Sequence, residues 1–295
     1  MPALIAICLL LVAAPALAHG ADRHDSLGWT FDPWIVTPLI TIAVLYAAGS
    51  IVLFRRRHGP EKKFLPATLF WCGLAVLVLA LLSPLHELGE HLFVMHMIEH
   101  ELVMAVAAPL LALAKPIGVI FWSMPRKVRR SLGRGLSGRV PRTIWYALTI
   151  PLVATLLHAI AIWGWHAPVL FDATVSNVLL HRLQHVSFFL TGLLFWWSVI
   201  WVSSRGAAAW HLFVTMMHTS VLGALLTFAP NVIFVAQTRY ADQWGMTALE
   251  DQQLAGVIMW IPGGLIYAGA ALLMVTLLIE GAGKGGSHEA RFDIA

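Results

Sequence analysis

The chain has 295 residues, of which 59% are hydrophobic and 12% charged, with a formal net charge of +4. A soluble domain carries about 25% charged residues, so this composition excludes an ordinary soluble enzyme. The basic residues lie between apolar runs, where they act as orientation signals, which excludes nucleic acid as a partner and leaves membrane lipid.

The first apolar run, residues 3–18, is short for a membrane span and ends in Ala16-Leu17-Ala18, the small-x-small pattern cut by signal peptidase. Residues 1–18 are therefore read as a cleaved signal peptide, although no Lys or Arg precedes the run. An uncleaved extra helix is the alternative. Cleavage there makes His19 the mature N-terminus, and its amine and imidazole, with Asp22 and His24 close by, offer a surface Cu(II) site. An accidental histidine after the cut explains it equally well. Cys8 goes with the signal and Cys72 sits inside a span, so no disulfide framework or CxxC site can form.

A periplasmic segment, 19–33, precedes a membrane domain, 34–280, and a cytoplasmic tail, 281–295. The hydropathy pattern predicts spans near 34–54, 65–83, 91–114, 143–163, 179–202, 210–230 and 250–279, each long enough to cross about 30 Å of hydrocarbon. The fold class expected is all-α, a polytopic bundle of about seven transmembrane helices. Five basic residues fall in 55–63, eight in 115–142, and Arg205, Lys284 and Arg291 on that same side, against Arg23, Arg182 and Arg239 opposite. The positive-inside rule then places the N-terminus outside and the C-terminus in the cytoplasm. The stretch Arg126-Lys127-Val128-Arg129-Arg130 is expected along the anionic inner leaflet.

Ionisable residues inside spans are costly and mark functional sites by default. Span three carries His96, Glu99 and His100 on one helical face, with Met95, His91 and Glu101 beside them. Span five has His181, Gln184 and His185 in the same i, i+4 arrangement. Span four brings His158 towards its outer end, with His166 following in the loop, and span seven opens with Glu250, Asp251, Gln252 and Gln253. Topology thus puts all of them at similar depth in the outer half of the membrane.

Two HxxxH pairs on different helices supply four imidazoles to one metal or to two neighbouring ones, with copper or zinc as the fitting ions. Glu99 and Asp251 are expected either to orient the imidazoles or to ligate. Met216, Met217 and His218 in span six suggest a deeper Cu(I) relay, with bundle packing as the rival explanation. A single intramembrane histidine is otherwise a hydrogen-bonding residue between helices. Trp163, Trp165, Trp196, Trp197 and Trp201 read as depth anchors, and Pro109, Pro151 and Pro262 as kinks. The chain has no HExxH helix, GxSxG elbow or P-loop, so a non-enzymatic role is expected.

Several stretches together resemble a known family. They are His96-Met97-Ile98-Glu99-His100-Glu101-Leu102 leading into Ala108-Pro109-Leu110, Leu157-His158 through Gly164-Trp165-His166-Ala167-Pro168, and His181-Arg182-Leu183-Gln184-His185. Asp251-Gln252-Gln253-Leu254-Ala255-Gly256 with Met259-Trp260-Ile261-Pro262-Gly263-Gly264 completes the set. In this order they look like the polytopic CtaG family of cytochrome c oxidase assembly proteins, over roughly residues 30–280. The resemblance implies a seven-span protein of the bacterial inner membrane that is needed to produce an active haem-copper oxidase, with cytochrome c oxidase subunits as its partners.

The expectation that joins this resemblance to the residues is copper handling. The protein would receive copper outside from a periplasmic donor, hold it on His96, His100, His181 and His185, and pass it to a client subunit. Two rival expectations stand beside it: a b-type cytochrome with bis-His haem b, and a metal-free assembly scaffold.

Overall fold

The computed structural model describes residues 28–56 and 64–289, and among these every regular element is helical. The predicted signal peptide, the copper site at His19 and the last residues of the tail lie outside the described residues. Apolar residues all round a helix mean burial against other helices or lipid, and α1 (Pro33–Arg56) and α2 (Phe64–Leu82) are of this kind. A short amphipathic helix, α3 (Pro84–His91), then precedes α4 (Phe93–Ala114). Three short helices follow: α5 (Pro116–Ser123), α6 (Arg126–Leu136) and α7 (Arg139–Thr149). The chain continues as α8 (Pro151–Trp165), α9 (Pro168–Ser176), α10 (Val178–Val202), α11 (Arg205–Thr227) and α12 (Ala248–Ala282).

Six of these helices are long and apolar enough to cross a membrane by themselves. The fourth span, expected as one helix over 143–163, is instead broken: α7 and α8 meet at 68° across Ile150. Pro151 explains the break, because it occupies the first turn of α8, where its missing N–H costs nothing, and it drives Ile150 out of helical geometry (ψ 128°). Counting the bent pair as one span gives seven. The chain is therefore a multi-pass membrane protein, and alternating span directions gather Arg55, Arg126, Lys127, Arg129, Arg130 and Arg205 at one end of the bundle, here called the basic end.

Packing follows the sites where side chains are small. Gly223 of α11 faces Gly256 of α12 so closely that a Cβ on Gly256 would stand 2.6 Å from the Gly223 carbonyl. Three apolar clusters fill the interior: Phe93, Met97, Phe171, Phe188 and Phe234 away from the basic end, Phe70, Leu77 and Val103 under α1 and α2, and Phe195, Trp196, Leu212 and Tyr267 deeper between α10, α11 and α12.

Three spans contain a π-helical turn, at Leu102–Ala107, Ser198–Val202 and Met259–Gly263. Pro262 accounts for the last, since it withdraws a donor from the ladder. In α4 the Trp196 indole donates to the Met104 carbonyl at 3.0 Å inside the π turn, and Trp201 donates to the Ala112 carbonyl at 3.0 Å. These two tryptophans therefore satisfy backbone within the bundle, beyond any role as depth anchors.

Candidate metal centre

The end of the bundle opposite the basic residues carries a buried polar cluster, and each wall of it has a local cause. Ser83 caps α3, accepting from the Leu85 amide, and Pro84 opens the helix. The Glu87 carboxylate accepts from the Gly28 amide at 2.8 Å, and Gln237 donates to the Gly89 carbonyl at 2.7 Å. These contacts hold α3 across the mouth of the bundle with His86 turned inward. α4 begins at Phe93, where both oxygens of Asp251, brought from α12, accept from the Phe93 and Val94 amides at 2.8 and 2.9 Å. Gln252 likewise accepts from the Ile233 and Phe234 amides, fixing the connection before α12. On α10, Asn177 caps the first turn through the Leu179 and Leu180 amides, and the Asp32–Arg182 ion pair at 2.8 Å joins α10 to the start of α1.

Within these walls, four imidazoles from two spans come together. His96 and His100 have ring centroids 4.2 Å apart on α4, and His181 and His185 are 4.6 Å apart on α10. Across the interface the separations are 5.0 Å for His100–His185, 5.6 Å for His96–His181 and 5.8 Å for His96–His185. One ring nitrogen from each of His96, His100 and His185 lies within 4.8 Å of the other two. Phe171 and Phe188 pack against His96 and His100 at 5.4 and 4.7 Å and close the floor.

The nitrogens are buried and largely unclaimed by the protein. His96 Nε2, His181 Nε2 and both nitrogens of His100 and His185 have no hydrogen-bond partner. A buried polar atom without a partner costs about 1–3 kcal/mol, and here there are six together. Three imidazoles converging with free nitrogens in a water-excluded pocket are a fitting donor set for copper or zinc. A haem fits less well. Axial histidines must stand on opposite faces of a macrocycle, whereas these rings touch one another and leave no slot between them.

Glu99, fully buried, lines the same pocket. Its Oε1 is 2.8 Å from His86 Nδ1 and 3.6 Å from His185 Nδ1, and its Oε2 has no partner. Burial pushes the His86 imidazole down, but the charge and hydrogen bond of Glu99 outweigh this and raise it to about 9. His166 also reaches the pocket wall, between Phe171 and Phe188, with Nδ1 2.7 Å from the Ile162 carbonyl. Burial lowers its pKa to about 4, leaving it neutral at physiological pH.

The remaining candidates are placed elsewhere. Asp251 is spent on the start of α4 as described. His158 lies deeper, stacked on Phe195, with Thr191 at 3.1 Å from Nδ1 and Tyr267 at 3.4 Å from Nε2, so both nitrogens are occupied. His218 accepts from the Trp163 indole at 3.3 Å, outside the cluster, and Met217 points outward, 45% exposed. His86 was not among the residues expected from sequence. Its only signal was the Ser83-Pro84 helix start, which places a histidine on the inner face of a short helix.

A model of the cytochrome c oxidase caa3 assembly factor family matches residues 44–280 of the chain. An uncharacterised protein of Mycobacterium bovis is 27% identical over 246 residues, which covers 79% of this chain and 36% of that protein. An uncharacterised protein of Mycobacterium tuberculosis matches with the same identity and coverage. The chain thus spans about a third of the length of these curated relatives. No solved structure matches.

Proposed function

Because the chain belongs to the cytochrome c oxidase caa3 assembly factor family, matched over residues 44–280, we propose that it contributes to oxidase assembly by holding copper in the histidine pocket and handing it to an oxidase subunit. The observation that carries this reading is the trio His96, His100 and His185, whose ring nitrogens approach within 4.8 Å of one another, with His96 Nε2 and both nitrogens of His100 and His185 lacking a hydrogen-bond partner. Three neutral imidazoles suit Cu(I), which accepts low coordination numbers and nitrogen donors.

The gathering of basic residues at the opposite end supports a pocket on the periplasmic side of a bacterial inner membrane, the side from which a periplasmic copper donor would load it. Delivery needs no bond-making catalysis, in keeping with a chain that carries no recognisable hydrolytic or nucleotide motif. A haem b role is disfavoured by the mutual contact of the rings, and a metal-free scaffold by the absence of partners for their nitrogens.

The test is elemental analysis of the full chain purified in detergent after Cu(I) loading under reductant. The reading expects stoichiometric copper, lost in the double variant His96→Ala with His100→Ala. In cells that variant should accumulate oxidase lacking copper while the assembly factor itself remains at normal abundance. Wild-type protein that leaves the loading column without copper sinks the proposal.

A further inference from the structure

Away from the histidine pocket, the basic end of the bundle carries a cleft. Lys115 takes a left-handed turn (φ 48°) between α4 and α5, and α5 packs against α1. The approach is close, since a Cβ on Gly49 would stand 2.0 Å from the Val119 carbonyl oxygen. One turn further along α1, a cavity of about 630 Å³ opens against the corner between α5 and α6, lined by Val52, Trp122, Ser123, Met124, Arg126 and Arg129.

The lining has two halves. Val52, Trp122 and Met124 are apolar, whereas Arg126 and Arg129, three apart in the first turn of α6, bring two positive charges to one face. The Arg129 guanidinium lies 4.0 Å over the Trp122 ring, which sets its plane and leaves its N–H edges to meet acceptors. Those charges have no counterpart in the chain around them. Between Glu101 and Asp172 the sequence has eight Lys and Arg residues and no Asp or Glu. Among the described residues, the ion pairs are those of His86 and His185 with Glu99 and of Arg182 with Asp32, all at the other end.

We propose that this cleft binds one anionic phospholipid, with its phosphate diester on Arg126 and Arg129 and the start of its chains against Val52, Trp122 and Met124. The cleft sits where α1 ends, at Arg56, which is the depth at which headgroup and acyl chain meet. Its volume falls within the range of about 300–1,000 Å³ of small-molecule sites. Guanidinium forks match phosphate oxygens in pairs, and the anionic charge is the one the cleft lacks. The apolar half selects the source of that phosphate. Free phosphate would leave Val52 and Met124 uncovered, and an acidic peptide has no chain to continue into the hydrocarbon.

The experiment titrates the full chain, purified in detergent and stripped of lipid, with phosphatidylglycerol, and counts bound lipid by native mass spectrometry. One phosphatidylglycerol per chain is expected, with phosphatidylcholine binding about tenfold more weakly or less. Arg126→Gln with Arg129→Gln should weaken the complex roughly 25-fold, at about fivefold for each cation removed. Arg126→Gln alone, at an exposed position, should give about fivefold. Lys127→Gln with Arg130→Gln removes the same charge outside the cleft and should cost only about twofold, because salt screens charges at that remove. Copper content should stay the same in all of them, since the histidine pocket lies at the opposite end. Equal losses in the two double variants overturn the site and leave only a diffuse attraction. Equal affinity for phosphatidylcholine overturns it as well. Full displacement of the lipid by millimolar inorganic phosphate, or by a polyglutamate peptide, does so too, because the cleft then recognises a free anion or an acidic segment.

Discussion

Two sets of buried polar side chains occupy this bundle, and they differ in one respect. In the first, Asp251, Gln252, Gln237 and His158 each meet a partner: two backbone amides for Asp251, two for Gln252, the Gly89 carbonyl for Gln237, and Thr191 with Tyr267 for His158. In the second, His96, His100, His181 and His185 leave six nitrogens with none. Both sets are polar, and His158 in the first is as buried as His96 and His100 in the second. Satisfaction separates a group that holds helices together from one that waits for a ligand, because burying an unpaired polar atom is unfavourable and persists only where something outside the chain repays it.

Breaking the first set should cost the fold, and breaking the second should not. The largest effect is expected for Asp251→Ala, which strands two buried amides at the start of α4 and removes a charge-assisted pair of hydrogen bonds. Thermal unfolding in detergent should show a loss of about 3 kcal/mol or more. A variant as stable as wild type would show that Asp251 is not the cap described here.

Next in size is the response to metal. Copper at a hundredfold excess over its dissociation constant should stabilise the wild type by about 2.7 kcal/mol and leave His96→Ala with His100→Ala unmoved, read as a shift in melting temperature. In the metal-free state, His100→Leu should be neutral or stabilising by about 1 kcal/mol, since it removes unpaired polar atoms from an apolar wall. His158→Leu should do the opposite, losing about 1 kcal/mol without altering copper content. If the two leucine variants behave alike, the contrast between the sets fails.

The smallest expected effect is a pH dependence from His166, followed on metal-free protein. Its folded pKa, about 4, lies below the unfolded value of 6.5, so the unfolded chain binds more protons in acid. The contribution is fully present above pH 6.5 and is lost as pH falls through 6.5 towards 4. At pH 5.5 the wild type should have lost about 1 kcal/mol that His166→Gln does not lose. Parallel pH profiles for the two proteins would show that the imidazole is solvated.

Much of the architecture could be read directly from the sequence, because lipid demands apolar runs of a set length and leaves few ways to arrange them. The convergence of His96, His100 and His185 was legible for the same reason: once span direction is known, depth follows from position in the run. What escaped was whatever depends on a distant partner. Asp251 looked like a ligand or an aid to one, and only coordinates show its oxygens engaged with residues 157 and 158 positions away. His86 belongs to no span and could not be assigned a depth. The break at Ile150 hides within an unbroken apolar run, where Pro151 fits either a kinked helix or the start of a new one.

The π turn at Leu102–Ala107 has a consequence for how such a pocket arises. Such a turn is an α-helix with one residue inserted, and each residue turns the chain by about 100°, so everything before the insertion is rotated out of phase with everything after it. In α4 this lets His96 and His100 aim at α10 while Val103, Ala107 and Leu111 keep their own apolar neighbours. A chain otherwise alike but one residue shorter between 102 and 107 would keep the bundle and swing the imidazoles away from their counterparts. In an aligned family, a gap of one position there would mark the members that have the helices but not the pocket.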